Sequence, residues 1–287
     1  MIQDIFPHRL RNEFIPGRAA DPAGWLFAFR EGGLLCRIEG GAVCLPRVEE
    51  ALPLADCRYL FALDGRPCFL DMDGGQSLPE GYAPVRVGAL RAQAEGPREI
   101  IFAAWTAFQL YNWYRDNRFC GRCGGETSQA EDERALVCPA CKRRIYPRII
   151  PAVIVGVING DEILMTKYRG RDIPFYALIA GFTEIGETLE ETVAREVMEE
   201  AGLKVKNIRY YKSQPWAVVD DLLAGFYCDV DGDATIRMDA KELKEAVWVR
   251  REDVVGQPND FSLTHEMMMT FRAGKEPRAV RPTGGEA

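Results

Sequence analysis

The stretch from Gly181 to Leu203, GFTEIGETLEETVAREVMEEAGL, sets the terms for the rest of the chain. Thr188 followed three residues later by Glu191 is a capping box, and Gly202 supplies a C-terminal stop. The spacing therefore predicts one short helix over Leu189 to Ala201. Val193, Val197 and Ala201 recur at i, i+4 and i+8 and define its buried face. Glu196, Glu199 and Glu200 gather on the other side. Like charges three or four residues apart cost about 0.2–0.5 kcal/mol per pair, and anions near a helix C-terminus oppose the macrodipole. The cluster asks for a cation that the chain does not supply. Carboxylate oxygens are hard ligands suited to Mg²⁺ or Mn²⁺, ions that keep several waters and bind along with substrate phosphates. A solvated acidic face is the plain alternative for an isolated E-x-x-E-E run.

The full spacing decides between them. Gly181, five residues, Glu187, seven residues, then Arg195-Glu196-Val197-Met198-Glu199-Glu200-Ala201-Gly202-Leu203 resembles the Nudix box at every fixed position. That resemblance implies a Nudix hydrolase with an α/β fold, an α/β/α sandwich around a mixed sheet. It implies that Glu196, Glu199 and Glu200 hold one to three divalent ions, with the Ala180 carbonyl as a further ligand. It gives Arg195 an orienting role in a pair with Glu187. The later segment Lys241-Glu242-Leu243-Lys244-Glu245-Ala246-Val247-Trp248 resembles the family's E-L/I-x-E/D-A-x-W, which makes Glu242 a candidate metal ligand or base.

At 287 residues the chain has room for two or three domains. Residues 1–95 alternate short apolar runs, such as Trp25 to Phe29, with Gly-Gly, Asp-Gly and Asp-Gly-Gly turns, the signature of a small β-rich domain. Asp64, Asp71 and Asp73 read as turn residues. Residues 96–117 predict an aromatic-rich connecting helix, either core packing or a junction between domains or subunits. Cys120-Gly-Arg-Cys123 and Cys138-Pro-Ala-Cys141 are two C-x-x-C knuckles fourteen residues apart, a four-thiolate zinc pattern within 118–146. With all four positions filled by thiolate, the Zn²⁺ is expected to be structural. Lys142, Arg143, Arg144 and Arg148 follow as a basic edge, solvated or able to touch nucleic acid. The other five of the nine cysteines read as reduced, small, buried residues.

Residues 147–274 are expected to form the Nudix domain, opening on a buried strand, Pro151 to Ile158. A turn at Asn159-Gly160 and a returning strand from Glu162 to Tyr168 follow, and a helix over Ser262 to Arg272 comes near the end. Residues 275–287 read as a flexible tail. No apolar run approaches the roughly 20 residues of a membrane helix, and the N-terminus has no apolar signal core. A cytoplasmic protein without membrane contact is expected.

Within the family, the order of domains resembles the zinc-ribbon NADH pyrophosphatases. Tyr146-Pro147-Arg148 and Gly181-Phe182 match that branch, which implies substrate contacts at Tyr146 and Phe182. Ser213-Gln214-Pro215-Trp216 matches the first half of its SQPWPFPxSLM signature and implies the same for those four residues. The second half departs: Ala217-Val218-Val219-Asp220-Asp221-Leu222-Leu223 puts two aspartates where neutral residues are expected. Thr264 is a weak candidate for the adenosine side, and His265 reads as a surface or core histidine. The resemblance implies hydrolysis of NAD(H) to AMP and nicotinamide mononucleotide, and a homodimer. ADP-ribose, dinucleotide polyphosphates and NAD-capped RNA stay open as substrates, as does a sensor that binds nucleotide or nucleic acid without hydrolysis.

Overall fold

A computed structural model describes residues 1–76, 78–92, 97–170 and 174–279. Contacts divide the chain into two compact units. One is Ile2–Ile149 with Trp216–Asp220; the other is Met1, Ile150–Pro215 and the residues from Asp221 onward.

The first unit carries a sheet of β1 (Leu10–Arg11), β2 (Trp25–Arg30), β3 (Gly33–Glu39), β4 (Ala42–Cys44), β5 (Cys57–Leu63), β6 (Arg66–Asp71) and β7 (Ala83–Arg86). Its order is β1-β5-β6-β2-β3-β4, with β7 on β3 and a parallel pairing of β2 with β6. The hairpin turns fall where the glycines placed them: Glu31-Gly32 and Asp64-Gly65 have left-handed φ at both residues, the twist that matches flanking antiparallel strands. The helix α1 (Arg98–Asp116) packs into this unit, burying Ile101, Trp105, Trp113 and Tyr114. Phe29 stacks on Tyr111, Trp105 Nε1 donates to the Val87 carbonyl at 3.1 Å, and Trp216 meets Trp105 edge-on at 4.9 Å. The helix aromatics therefore include core of their own unit. Of the five remaining cysteines, Cys36, Cys68 and Cys228 are buried as expected, whereas Cys44 and Cys57 are only half-buried. Burial pushes the thiols of Cys57 and Cys68 up to about 12, so they stay protonated and inert.

The N-terminal segment is tied to this unit by His8, whose Nδ1 lies 2.7 Å from Asp64 Oδ2 and whose Nε2 lies 3.7 Å from Glu99. The hydrogen bond to Asp64 raises the His8 pKa above 6.5. A raised folded pKa means the pair stabilises fully below the unfolded value, near 6.5, and the contribution is lost as pH rises through the folded value. An NMR titration of His8 should give a midpoint above 6.5 that falls in Asp64→Asn. An unchanged midpoint in that variant would show the pair to be incidental.

The second unit is a three-layer sandwich. Its sheet runs β14 (Val205–Trp216), β15 (Asp221–Val230), β11 (Ile150–Asn159), β12 (Glu162–Tyr168), β16 (Leu243–Arg250), with β13 (Ile179–Phe182) on β11. The numbers β8 to β10 belong to the ribbon strands Ser128–Gln129, Leu136–Val137 and Arg144–Ile145. β11 pairs parallel with β15 and antiparallel with β12 and β13, and with a helix packed on each face of the sheet it reads as a near-continuous apolar run. Val153, Val155 and Val157 pack with Val193, Val197 and Ala201 of α2 (Leu189–Ala201). Ile154 and Ile158 pack with Leu263, Met267 and Phe271 of α3 (Leu263–Arg272). The α/β/α sandwich with a mixed sheet is thus present.

Two expectations need correction. Asn159 pairs with Glu162, so the hairpin loop is Gly160-Asp161, one residue beyond Asn159-Gly160; Gly160 takes the left-handed φ of +63° that the turn requires. The expected flexible tail is held at its start, because Arg251 pairs with Glu276 at 2.8 Å and Arg209 Nε donates to the Pro277 carbonyl. Residues 280–287 of that tail lie outside the described residues. No helix among the described residues is long and apolar enough to cross a membrane.

Candidate active site

The acidic helix α2 is built by its own ends. The Thr188 side chain accepts from Glu191 N–H, the Glu191 carboxylate accepts from Thr188 N–H at 2.7 Å, and Gly202 closes the helix at φ +67°. This rotates Val193, Val197 and Ala201 onto the sheet and sends Glu196, Glu199 and Glu200 to the edge of a cleft of about 500 Å³. Tyr168, Ala180, Phe182, Lys241 and Glu242 line the same cleft.

Gly181 has a role that its place in β13 makes specific. A Cβ at this position would lie 1.9 Å from Glu196 Cδ and 2.0 Å from Oε1. Only a residue without a side chain lets the strand and the carboxylate share this space. Arg195 holds the other side. Its Nε and Nη2 fork onto Glu187 at 2.6 and 2.9 Å, Nη1 reaches Glu196 at 2.7 Å and Glu199 at 3.0 Å, and Nη2 also donates to the Phe182 carbonyl. Glu187 answers with a carboxyl lowered to about 2, chiefly by that hydrogen bond.

Glu196 is pushed the other way. Burial raises its carboxyl above the usual range, the Arg195 pair opposes the rise, and Glu199 and Glu242 add like-charge repulsion. A desolvated carboxylate among other carboxylates is stabilised by a hard cation. Glu196, Glu199, Glu200 and Glu242, with Ala180 alongside, line this one cleft and are hard oxygen donors of the chemistry such an ion takes.

The NUDIX domain family matches residues 148–271. The NADH pyrophosphatase zinc ribbon domain matches residues 115–146. The chain belongs to the Nudix family. It is similar to a protein of Erwinia tasmaniensis named NAD-capped RNA hydrolase NudC, 41% identical over 173 residues, 60% of this chain and 66% of that one. It is also similar to the protein of the same name from Enterobacter sp. strain 638, 43% identical over 58% of this chain and 65% of that one. The match thus spans a little under two thirds of the length of these curated relatives. A solved NUDIX hydrolase from Nitrosomonas europaea overlays 55% of this chain and 94% of its own, with a TM-score of 0.47 and 23% identity.

In the zinc ribbon of this Nudix protein, Cys120, Cys123, Cys138 and Cys141 place their sulfurs all within 4.8 Å of one another, the one such group among the described residues. Cys120–Cys141 and Cys123–Cys138 separations are 3.6 and 3.4 Å. A tetrahedron with arms of about 2.3 Å has edges of about 3.8 Å, so the thiolates fit zinc. Each knuckle turns back the same way: Gly124 N–H bonds the Cys120 carbonyl and Lys142 N–H the Cys138 carbonyl, with φ of +74° and +61°.

The remaining expected contacts divide. Phe182 is exposed at the cleft and Ser213 is exposed on β14. Gln214 is not available to a ligand: it is fully buried, its Nε2 donates to the Phe261 carbonyl at 2.8 Å and its Oε1 accepts from Leu263 N–H at 2.7 Å. The amide joins β14 to the start of α3. Pro215 and Thr264 are half-buried, and Trp216 packs on Trp105 in the first unit. Tyr146 is 55% exposed in that unit, its hydroxyl donating to Glu133. His265 Nδ1 lies 3.0 Å from the Gln257 carbonyl, a structural placement.

Of the basic edge, Arg144 forks onto Asp132 and Arg148 pairs with Asp220 at 2.6 Å. The second pair accounts for one of the two unexpected aspartates. Asp220 takes a left-handed φ of +62° and offers its carboxylate to Arg148. Sequence reasoning missed Tyr168, whose hydroxyl lies 3.1 Å from Glu200. Nothing in a Lys-Tyr pair at a strand end signals it.

Proposed function

We propose that this chain hydrolyses the diphosphate bond of NAD(H), giving AMP and nicotinamide mononucleotide. The observation that carries the reading is the packing of Glu196 against Gly181 beside Glu199, Glu200 and Glu242 in one polar cleft. Glu196, Glu199, Glu200 and Glu242, with the Ala180 carbonyl, would hold Mg²⁺ or Mn²⁺. Such an ion, when bound, neutralises phosphate charge and lowers the pKa of a bound water. The chain's own residues do the rest. Arg195 keeps Glu196 and Glu199 in register through Glu187, and exposed Phe182 offers a ring face for a base or nicotinamide to stack on. Water adds its oxygen to one phosphorus, the bridging P–O bond breaks, and the bridging oxygen leaves with the other phosphate. The zinc ribbon supplies structure, since four thiolates leave no open position.

The relatives named NAD-capped RNA hydrolases favour a second substrate for the same bond, the NAD cap of an RNA. Purified protein with Mg²⁺ or Mn²⁺ should be given NADH, NAD⁺, ADP-ribose, diadenosine polyphosphates and NAD-capped RNA, with products identified by mass spectrometry. Cleavage of NAD(H) or capped RNA at the diphosphate is expected. Nucleotide binding without cleavage of any of them would make the protein a sensor and end this reading.

A further inference from the structure

We propose that Tyr168 is a positioning residue that aims the Glu200 carboxylate into the cleft. The inference rests on the reading of Glu196, Glu199 and Glu200 as ligands of a divalent ion. The three are held differently. Arg195 reaches Glu196 and Glu199 with a full positive charge, whereas the Tyr168 hydroxyl stands 3.2 and 3.1 Å from the two oxygens of Glu200. Glu200 is 2% exposed. A carboxylate so enclosed has lost most of its water and needs donors to stay ionised and oriented. A phenol supplies a donor with no charge, so it fixes the carboxylate without itself neutralising it.

The phenol is itself fixed. Ala180 N–H donates to the Tyr168 oxygen at 2.9 Å, and of the acceptors facing the Tyr168 proton Glu200, at 3.1 Å, is nearer than the Leu178 carbonyl at 3.5 Å. One chain of hydrogen bonds thus runs from the β13 backbone, at the residue whose carbonyl is a candidate ligand, to the carboxylate on α2. The backbone beneath Tyr168 is shaped for this. Lys167 pairs with Glu245 but Tyr168 pairs with Leu243, so the ladder slips by one residue there. Bulges of this kind re-aim a side chain and cluster beside active sites. The slip also sets the turn that carries Glu242, whose carbonyl accepts from Arg169 N–H at 2.8 Å.

Partners behind metal ligands change affinity by about 10–100-fold when removed. In Tyr168→Phe, which deletes one oxygen and keeps the ring, Mn²⁺ titrated into the free full-length protein and followed by electron paramagnetic resonance should bind about tenfold or more weakly. Turnover of Tyr168→Phe should recover toward the parent as Mn²⁺ is raised, while thermal melting stays close to it. Glu200→Gln should weaken Mn²⁺ at least as much, and Tyr168→Phe added to Glu200→Gln should cost little more, because the phenol acts through that carboxylate. Unchanged Mn²⁺ affinity in Tyr168→Phe, or additive losses in the double variant, would overturn the positioning role alone. Unchanged Mn²⁺ affinity and turnover in Glu200→Gln would overturn the carboxylate reading beneath it. Should Tyr168→Phe melt early, the comparison of Glu200→Asp with Glu200→Gln decides. A shortened carboxylate drawn away from the phenol should bind Mn²⁺ weakly as well, and parental affinity in Glu200→Asp would sink the proposal.

Discussion

Gly181→Ala should abolish the proposed hydrolysis while leaving most of the fold in place. The new methyl carbon would fall 1.9 Å from Glu196 Cδ, well inside any tolerated contact. Neither backbone has room to yield, and the atoms in the way are the end of the Glu196 side chain, so that side chain is what moves. β13 is registered on β11 through Val153–Gly181 and Ile154–Ala180, and Glu196 belongs to a helix whose Val193 and Val197 are fully buried against the same sheet. The carboxylate must swing out, which breaks its 2.7 Å contact with Arg195 and empties one position of the donor set. A displacement of about 1 Å in a catalytic constellation costs on the order of 100-fold in rate, and overpacking adds about 1–3 kcal/mol of destabilisation. We expect kcat to fall by at least that factor, read with whichever dinucleotide proves to be the substrate. Gly88→Ala is the control, because a Cβ there meets nothing within 4 Å. Parental turnover in Gly181→Ala would show that Glu196 is not needed where it stands.

Removal of zinc should have the largest effect on stability. The ribbon sheet consists of three strands of two residues each, far less pairing than an independent sheet needs. Its polar ties, such as Arg144 with Asp132, are 40% and 64% exposed at their side chains, and pairs of that kind contribute about 0–1 kcal/mol. The thiolate cluster therefore has to supply the folding energy, and structural zinc in small modules contributes about 10–16 kcal/mol. Cys138→Ser replaces a fully buried ligand. The variant should lose its zinc by elemental analysis, become open to proteases between residues 118 and 146, and melt about 10 °C or more below the parent. Retained zinc together with parental melting would remove the ribbon's dependence on the metal.

How much of this was legible from residues alone follows from how local each cause is. The helix α2 was readable to its last residue, because Thr188, Glu191 and Gly202 act within one turn of its ends. The thiolate cluster was readable for the same reason: each knuckle is complete within four residues. The glycine at 181 was readable as part of a pattern, but its cause was not. That cause is a contact between a strand and a helix fifteen positions away, and it exists only once the layers close. Tyr168 was invisible because a one-residue slip in the β12–β16 ladder aims it, and slips leave no mark in composition. Gln214 shows the opposite error. Its place in a Ser-Gln-Pro-Trp run suggested a ligand contact, yet the amide is spent on two backbone groups at the start of α3. Asp220 looked like a change in a pocket wall, and among the described contacts it is the partner of Arg148.

The parallel pairing of β11 with β15 bears on how the cleft comes into being on the ribosome. Ile150 is matched to Asp221 and Ile158 to Asp229, with the whole Nudix box lying in the connection between the two strands. A growing polypeptide that has just exposed its acidic helix still lacks the strand that completes the platform beneath it. Prematurely terminated products that carry every box glutamate but stop short of β15 should therefore emerge without a competent metal cleft.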